Sequence, residues 1–193
     1  MRYFIGVFFI SILLLSSCGA PDPAEIAKAK QDSIAKAKAE ARPVYQKAID
    51  DAEKAMRSDK TYDKRLMTAA LKAYNDFTVT FPDDSMTAEY LFLSSSLAQA
   101  AGNYQQATVY LETIIEKHKD YKKYSDACFL AAFIYDTYLE NVNEGGARAK
   151  QLYQFVIDHY PNTKNASDAK VLITHLGHDD SWIDSLIKNG QKK

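Results

Sequence analysis

Three stretches of this 193-residue chain share one spacing of small and large apolar residues, and that spacing dictates helices stacked on helices. Ala70, Ala107 and Ala149 lie 37 and 42 residues apart. The same two intervals relate Tyr74, Leu111 and Tyr153, then Phe77, Ile114 and Val156, then Pro82, Lys119 and Pro161. Each copy reads as a small residue, a large residue four later, an apolar residue three later and a stop five later. On an α-helix that order puts the first three on one face. The alanine lets a neighbouring helix come close, and the two larger side chains fill the groove beside it. Gly (7) and Pro (5) are scarce, so the chain is predicted to be long helices rather than a β-sandwich. Apolar residues make up 47 %, enough for a core.

Apolar residues recur at three- and four-residue steps from Val44 to about Leu176. Cap and turn residues interrupt them at Ser58-Asp59-Lys60, Pro82-Asp83-Asp84-Ser85, Gly102-Asn103, 120–123, 141–146 and Pro161-Asn162-Thr163. About six helices in hairpins are predicted, the first starting at Pro43. A seventh follows over 167–176, stopped by Gly177, and a short last helix near 182–188.

The small–large–apolar order resembles the second helix of the tetratricopeptide repeat (TPR) family. Ser95 falls where that family has a small residue in the preceding helix, and Gly102-Asn103-Tyr104 matches its Gly-Asp-Tyr turn. The family repeats every ~34 residues, so the intervals here are longer. The extra residues of the third copy are expected within 140–146, and Lys119 replaces the usual proline. The phrases Thr80-Phe81-Pro82 and His159-Tyr160-Pro161 are similar to repeats of envelope lipoproteins and periplasmic adaptors, such as BamD-type assembly lipoproteins and YbgF-type coordinators. The resemblance implies an all-α, TPR-type helical-hairpin solenoid over 44–176, with about three repeats plus a C-terminal capping helix, then a loop and short helix over 177–193. It also implies binding of a partner segment in a groove. If Ser95 packs inward, Phe92, Ser96 and Gln99 form the adjacent stripe that lines the groove in the family. Asp136 falls on the same groove in the third repeat. These four are the expected partner contacts.

The first eighteen residues carry a different signal. Arg2 precedes the apolar run 3–15, and Ser16-Ser17-Cys18 follows it. This is the layout of a secretory signal peptide, and the run falls short of the ~20 residues that span a bilayer. The cysteine at the cleavage point makes it resemble a bacterial lipobox. That implies removal of residues 1–17 and acylation of Cys18 with diacylglycerol and palmitate-type chains. Gly19 follows Cys18, not an aspartate, which by resemblance argues against retention in the inner membrane. Asp22 is the one acid nearby, so a run of acids marking surface export is absent. The expectation is a lipid anchor in the outer membrane, on the periplasmic side. Residues 18–43 read as a tether and an Ala/Lys-rich helical spacer, exposed because Ile26 and Ile34 are its only large aliphatic residues before Pro43.

No chemistry of catalysis stands out. The chain has no Gly-rich phosphate loop, no His-Glu-x-x-His and no Gly-x-Ser-x-Gly, so neither an enzyme nor a cofactor is expected. His175, His178, Asp179 and Asp180 are metal-ligand types, but Gly177 breaks the helix between the histidines, so no metal is expected. Cys128, inside the apolar run 127–135, reads as a small buried hydrophobe. The net charge of −1 and the lack of a basic patch exclude a nucleic-acid partner. Asp32-Ser33-Ile34, Asp84-Ser85-Met86 and Asp184-Ser185-Leu186 resemble the acceptor of a bacterial O-glycosylation system. Asp84-Ser85 already reads as a cap, which leaves Ser33 on the spacer as the candidate. The expected partners are other envelope proteins, and the membrane through Cys18. The expected function is an adaptor or scaffold. The alternatives are a structural subunit of an assembly or secretion machine, or a glycan- or peptidoglycan-binding lipoprotein. An outer apolar patch would mark the subunit, and an exposed aromatic platform the glycan binder.

Overall fold

The computed structural model describes residues 22–58, 63–142 and 144–176. The signal segment 1–17, Cys18, Gly177 and the helix expected near 182–188 lie outside them. The described residues form seven helices and no strand: α1 (Pro23–Ser58), α2 (Lys64–Thr80), α3 (Thr87–Ala100), α4 (Tyr104–Lys117), α5 (Tyr124–Tyr138), α6 (Gly145–His159) and α7 (Lys164–Leu172). None is long and apolar enough to cross a membrane. The chain divides into two units, Met1–Ala39 and Glu40–Lys193.

In the first unit the described residues are the opening turns of α1. The Ala24 N–H donates to the Asp22 carboxylate at 2.9 Å, and Pro23 takes the first helical position, where its missing N–H costs nothing. Within the stretch read as tether and spacer, the helix therefore starts at Pro23. Ile26 and Ile34 are about half exposed, at 54 % and 50 %, and every other described residue here is exposed too. Ala and Lys propensity sustains this stretch without a buried face.

In the second unit α1 runs through Pro43, where the sequence predicted a start. A proline inside a helix cannot donate to the carbonyl four residues back, here that of Ala39. Packing overrides that loss. Ala41, Tyr45, Ile49, Ala52 and Met56, at helical spacing, lie in one cluster with Ala70, Tyr74 and Phe77 of α2 and Tyr90 of α3. Arg42 forks onto Asp84 at 2.6 and 3.1 Å, and its guanidinium lies 5.6 Å from the centre of the Phe77 ring.

The repeated columns are the core. Ala70, Phe77, Ala107, Leu111, Ile114, Ala149, Tyr153 and Val156 are fully buried, and Tyr74 nearly so. The helix ends repeat as well. The N–H groups of Phe81, His118 and Tyr160 donate to the carbonyls of Phe77, Ile114 and Val156. One turn later Asp84, Tyr121 and Thr163 donate to Phe81, His118 and Tyr160. The same intervals then reach buried residues of the next helices: Thr87, Tyr124 and Ala166, and after them Tyr90, Ala127 and Ala169. The register thus covers whole helix pairs. α2, α4 and α6 have 17, 14 and 15 residues. Much of the long third copy sits in the connection Leu139–Glu144, which replaces the short Ala101–Asn103 of the middle copy.

Each of α2 to α6 packs on its successor, and α5 also touches α7. The architecture is all-helical and compatible with a helical-repeat solenoid. α7 starts earlier than predicted, because the Thr163 hydroxyl accepts from the Ala166 N–H at 3.2 Å and caps it.

Candidate binding faces

The predicted groove stripe lies on α3, and part of it is occupied by the protein itself. Phe92 is half-buried, with the Tyr121 ring centre 6.2 Å away and the Lys123 ammonium 5.2 Å from its ring centre. Glu89, one turn earlier, fixes that cover: it accepts from Tyr121 at 2.9 Å and from Lys123 at 2.6 Å. Burial works against the Glu89 charge, but the Lys123 and Tyr121 hydrogen bonds prevail and hold its carboxyl below the usual range. Ser96 is exposed, and its hydroxyl donates to the Phe92 carbonyl at 3.2 Å. Gln99 is partly exposed, with its amide nitrogen 3.4 Å from the Ser95 carbonyl. Ser95 itself is fully buried.

Asp136, on α5, is tied to α6. It accepts from the Tyr153 hydroxyl at 3.2 Å. Burial pushes its carboxyl above the usual range, against the lowering effect of that hydrogen bond. Ser96 and Gln99 are therefore the members of the predicted set most open to a partner.

Two grooves lie on the other helix set. One, of about 1030 Å³, runs between α2, α4 and the turns that follow them. Val79 and Val109 line it and are 81 % and 56 % exposed, a costly placement for two aliphatic side chains. The second, of about 820 Å³, lies between α4, the end of α5 and α6, with Gln105, Thr108, Tyr135, Arg148 and Gln151 on its walls. Arg148 forks onto Glu112 and also donates to Gln151. One helical turn from the lining residues Thr108 and Tyr135, Tyr104 and Tyr138 stack with ring centres 3.7 Å apart and planes 5° from parallel. Sequence reasoning missed both grooves. Gln105, Thr108 and Glu112 do form one helical stripe beside the buried Ala107–Leu111–Ile114 face, and that is the signal by which the second could have been found.

The remaining residues have simpler surroundings. Ser33 lies on an exposed turn of α1. Asp84 accepts from the Met86 N–H at 2.9 Å in the turn before α3, but Met86 is the N-cap and no side chain caps the helix, so the cap expected from Asp84-Ser85 does not form. Cys128 is fully buried in α5, and burial pushes its thiol up to about 12. His175 follows α7 in a turn, whereas His178 and the two aspartates after it lie outside the described residues. Compared with models of known protein families, and with the sequences of curated proteins, the chain matches none.

Proposed function

We propose that this chain is a lipid-anchored, TPR-type adaptor of the outer membrane. Acyl chains on Cys18 hold it, its helix pairs face the periplasm, and it recruits other envelope proteins rather than catalysing a reaction. The observation that carries this reading is the shared register. Three copies bury the same three columns and close with the same hydrogen bonds, which is how a stack of binding repeats is built. The exposed Ala/Lys helix then serves as the spacer between membrane and stack.

Two measurements test it. Mass spectrometry of the mature N-terminus should find Cys18 first and acylated; an unmodified Cys18 or another start contradicts the anchor. Two acyl chains or more are needed for stable anchoring. Second, Ser96→Arg with Gln99→Ala should leave the melting curve unchanged, since neither side chain is buried, and should release co-purifying partners. Retention of every partner at wild-type levels would remove the α3 stripe as the recruiting surface.

The exposed Val79 and Val109 support a second reading, a subunit of a stable envelope machine. Val79→Glu with Val109→Glu separates the two. It breaks a stoichiometric complex if that reading holds and leaves adaptor recruitment intact if it does not.

A further inference from the structure

We infer that the groove between α4 and α6 is a binding site for a neutral oligosaccharide, with the Tyr104–Tyr138 pair as a stacking platform at its end. The site goes beyond the adaptor reading and does not depend on it. Its walls mix apolar side chains, Val109, Leu139, Val142 and Ala147, with polar ones, and Arg148 orders part of the polar set. Arg148 donates to both Glu112 oxygens and to the Gln151 carbonyl, which leaves the Gln151 amide N–H groups turned away from Arg148 as donors. Tyr135, on α5, lines the same groove. Across the groove the Gln105 side chain is exposed and has no protein partner among the described residues. Two planar amides on facing helices offer paired donors and acceptors, the groups that sugar hydroxyls engage.

The platform follows from helical spacing: Tyr104 lies one turn before the groove-lining Thr108, and Tyr138 one turn after the groove-lining Tyr135. Stacking uses one face of each ring, while Tyr138 remains 46 % exposed, so an aromatic surface is open to the C–H face of a pyranose. The volume, about 820 Å³, falls within the ~300–1,000 Å³ of ordinary ligand sites.

Charge decides which sugars fit. The Arg148 cation is neutralised by Glu112, and Glu144 adds a negative charge to the wall. An acidic glycan would meet no free cation there. An apolar peptide side chain would bury Gln105 and Gln151 without partners, which is unfavourable. The wall owes its form to the extra residues of the third copy. The Gly145 and Gly146 N–H groups donate to the Val142 and Glu140 carbonyls and fold the 139–144 connection against the start of α6. The short Ala101–Asn103 turn of the middle copy has no such wall.

The test titrates the full mature chain, by calorimetry, with cellohexaose, maltohexaose and chitohexaose in turn, and with a hyaluronan hexasaccharide as the acidic control. At least one neutral hexasaccharide should saturate at one site and the acidic one should not. Gln105→Ala with Gln151→Ala, and separately Tyr138→Ala, should each weaken that binding by about tenfold or more. Tyr138→Phe should retain it, because the ring carries the stacking. Failure of all three neutral sugars to bind overturns the site. So does undiminished binding by the alanine variants, or a preference for the acidic hexasaccharide.

Discussion

Tyr74 and Tyr153 hold the same column of the repeat, and each donates its hydroxyl to a carboxylate of the preceding helix: Glu53 at 2.9 Å and Asp136 at 3.2 Å. The middle copy has Leu111 in that column, with no hydroxyl to give. Ser94 stands 42 residues before Asp136, in the matching place. It is fully buried, and its Oγ has no partner among the described residues. A buried orphan hydroxyl costs about 1–3 kcal/mol, so Ser94→Ala should be neutral or raise the urea midpoint. Two aspartates differ in sign. Burial raises the Asp136 pKa, so its ionised form weakens the fold above that pKa, and the penalty lifts as pH falls through it. Asp136→Asn should keep an acceptor for Tyr153 and hold or raise stability at pH 7. The Asp84 pKa is lowered, chiefly by the Arg42 hydrogen bond, so its contribution is present above the ordinary carboxylate value and is lost as pH falls through the lowered one. Asp84→Asn should cost about 0.2–1 kcal/mol at pH 7, the modest figure reflecting a half-exposed Arg42, and the deficit should shrink in acid. Thermal melts of the two variants at neutral and acid pH check both signs.

At the scale of single elements, two glycines end or begin helices for different reasons. Gly102 closes α3 at φ 74° and donates to the Gln99 carbonyl while Asn103 donates to that of Ala98, the paired bonds of a left-handed C-cap. Space around it is open, so Gly102→Ala should cost only the ~1 kcal/mol of a strained φ. At Gly145 the backbone is ordinary but a Cβ would sit 1.9 Å from the Leu139 carbonyl oxygen. Gly145→Ala should therefore cost about 3 kcal/mol and loosen the 139–144 connection, read as lost amide protection there. The column residues of α2, α4 and α6 were legible because three copies state the same pattern, so noise in one is corrected by the others. The stop columns were legible for the same reason, with Lys119 tolerated because the turn is set by backbone bonds from His118 and Tyr121 rather than by a proline ring. The passage of α1 through Pro43 was not legible. A local rule placed a start there, while the contacts of Tyr45 and Ile49 that override it come from residues distant in sequence. Periodicity put Asp136 on a face without showing that Tyr153 reaches it from the next helix. It marked the α4 wall of the second groove through the stripe Gln105–Thr108–Glu112, but not the facing walls, which come from helices distant in sequence.

For the whole molecule, the register is the claim on which the rest depends. If the copies are equivalent, the alanine column marks the closest helix approaches, and any larger side chain there overpacks the core. Ala107 and Ala149 are both 0 % exposed, whereas Ala35 lies on the exposed stretch of α1. The most direct measurement is the melting temperature of Ala107→Leu, Ala149→Leu and Ala35→Leu against the parent chain. Overpacking costs about 1–3 kcal/mol, and in a chain of this size each kcal/mol lowers Tm by roughly 2–4 °C. Ala107→Leu and Ala149→Leu should therefore both melt several degrees lower, with Ala35→Leu unchanged. Equal melting temperatures for all three variants would contradict the repeat.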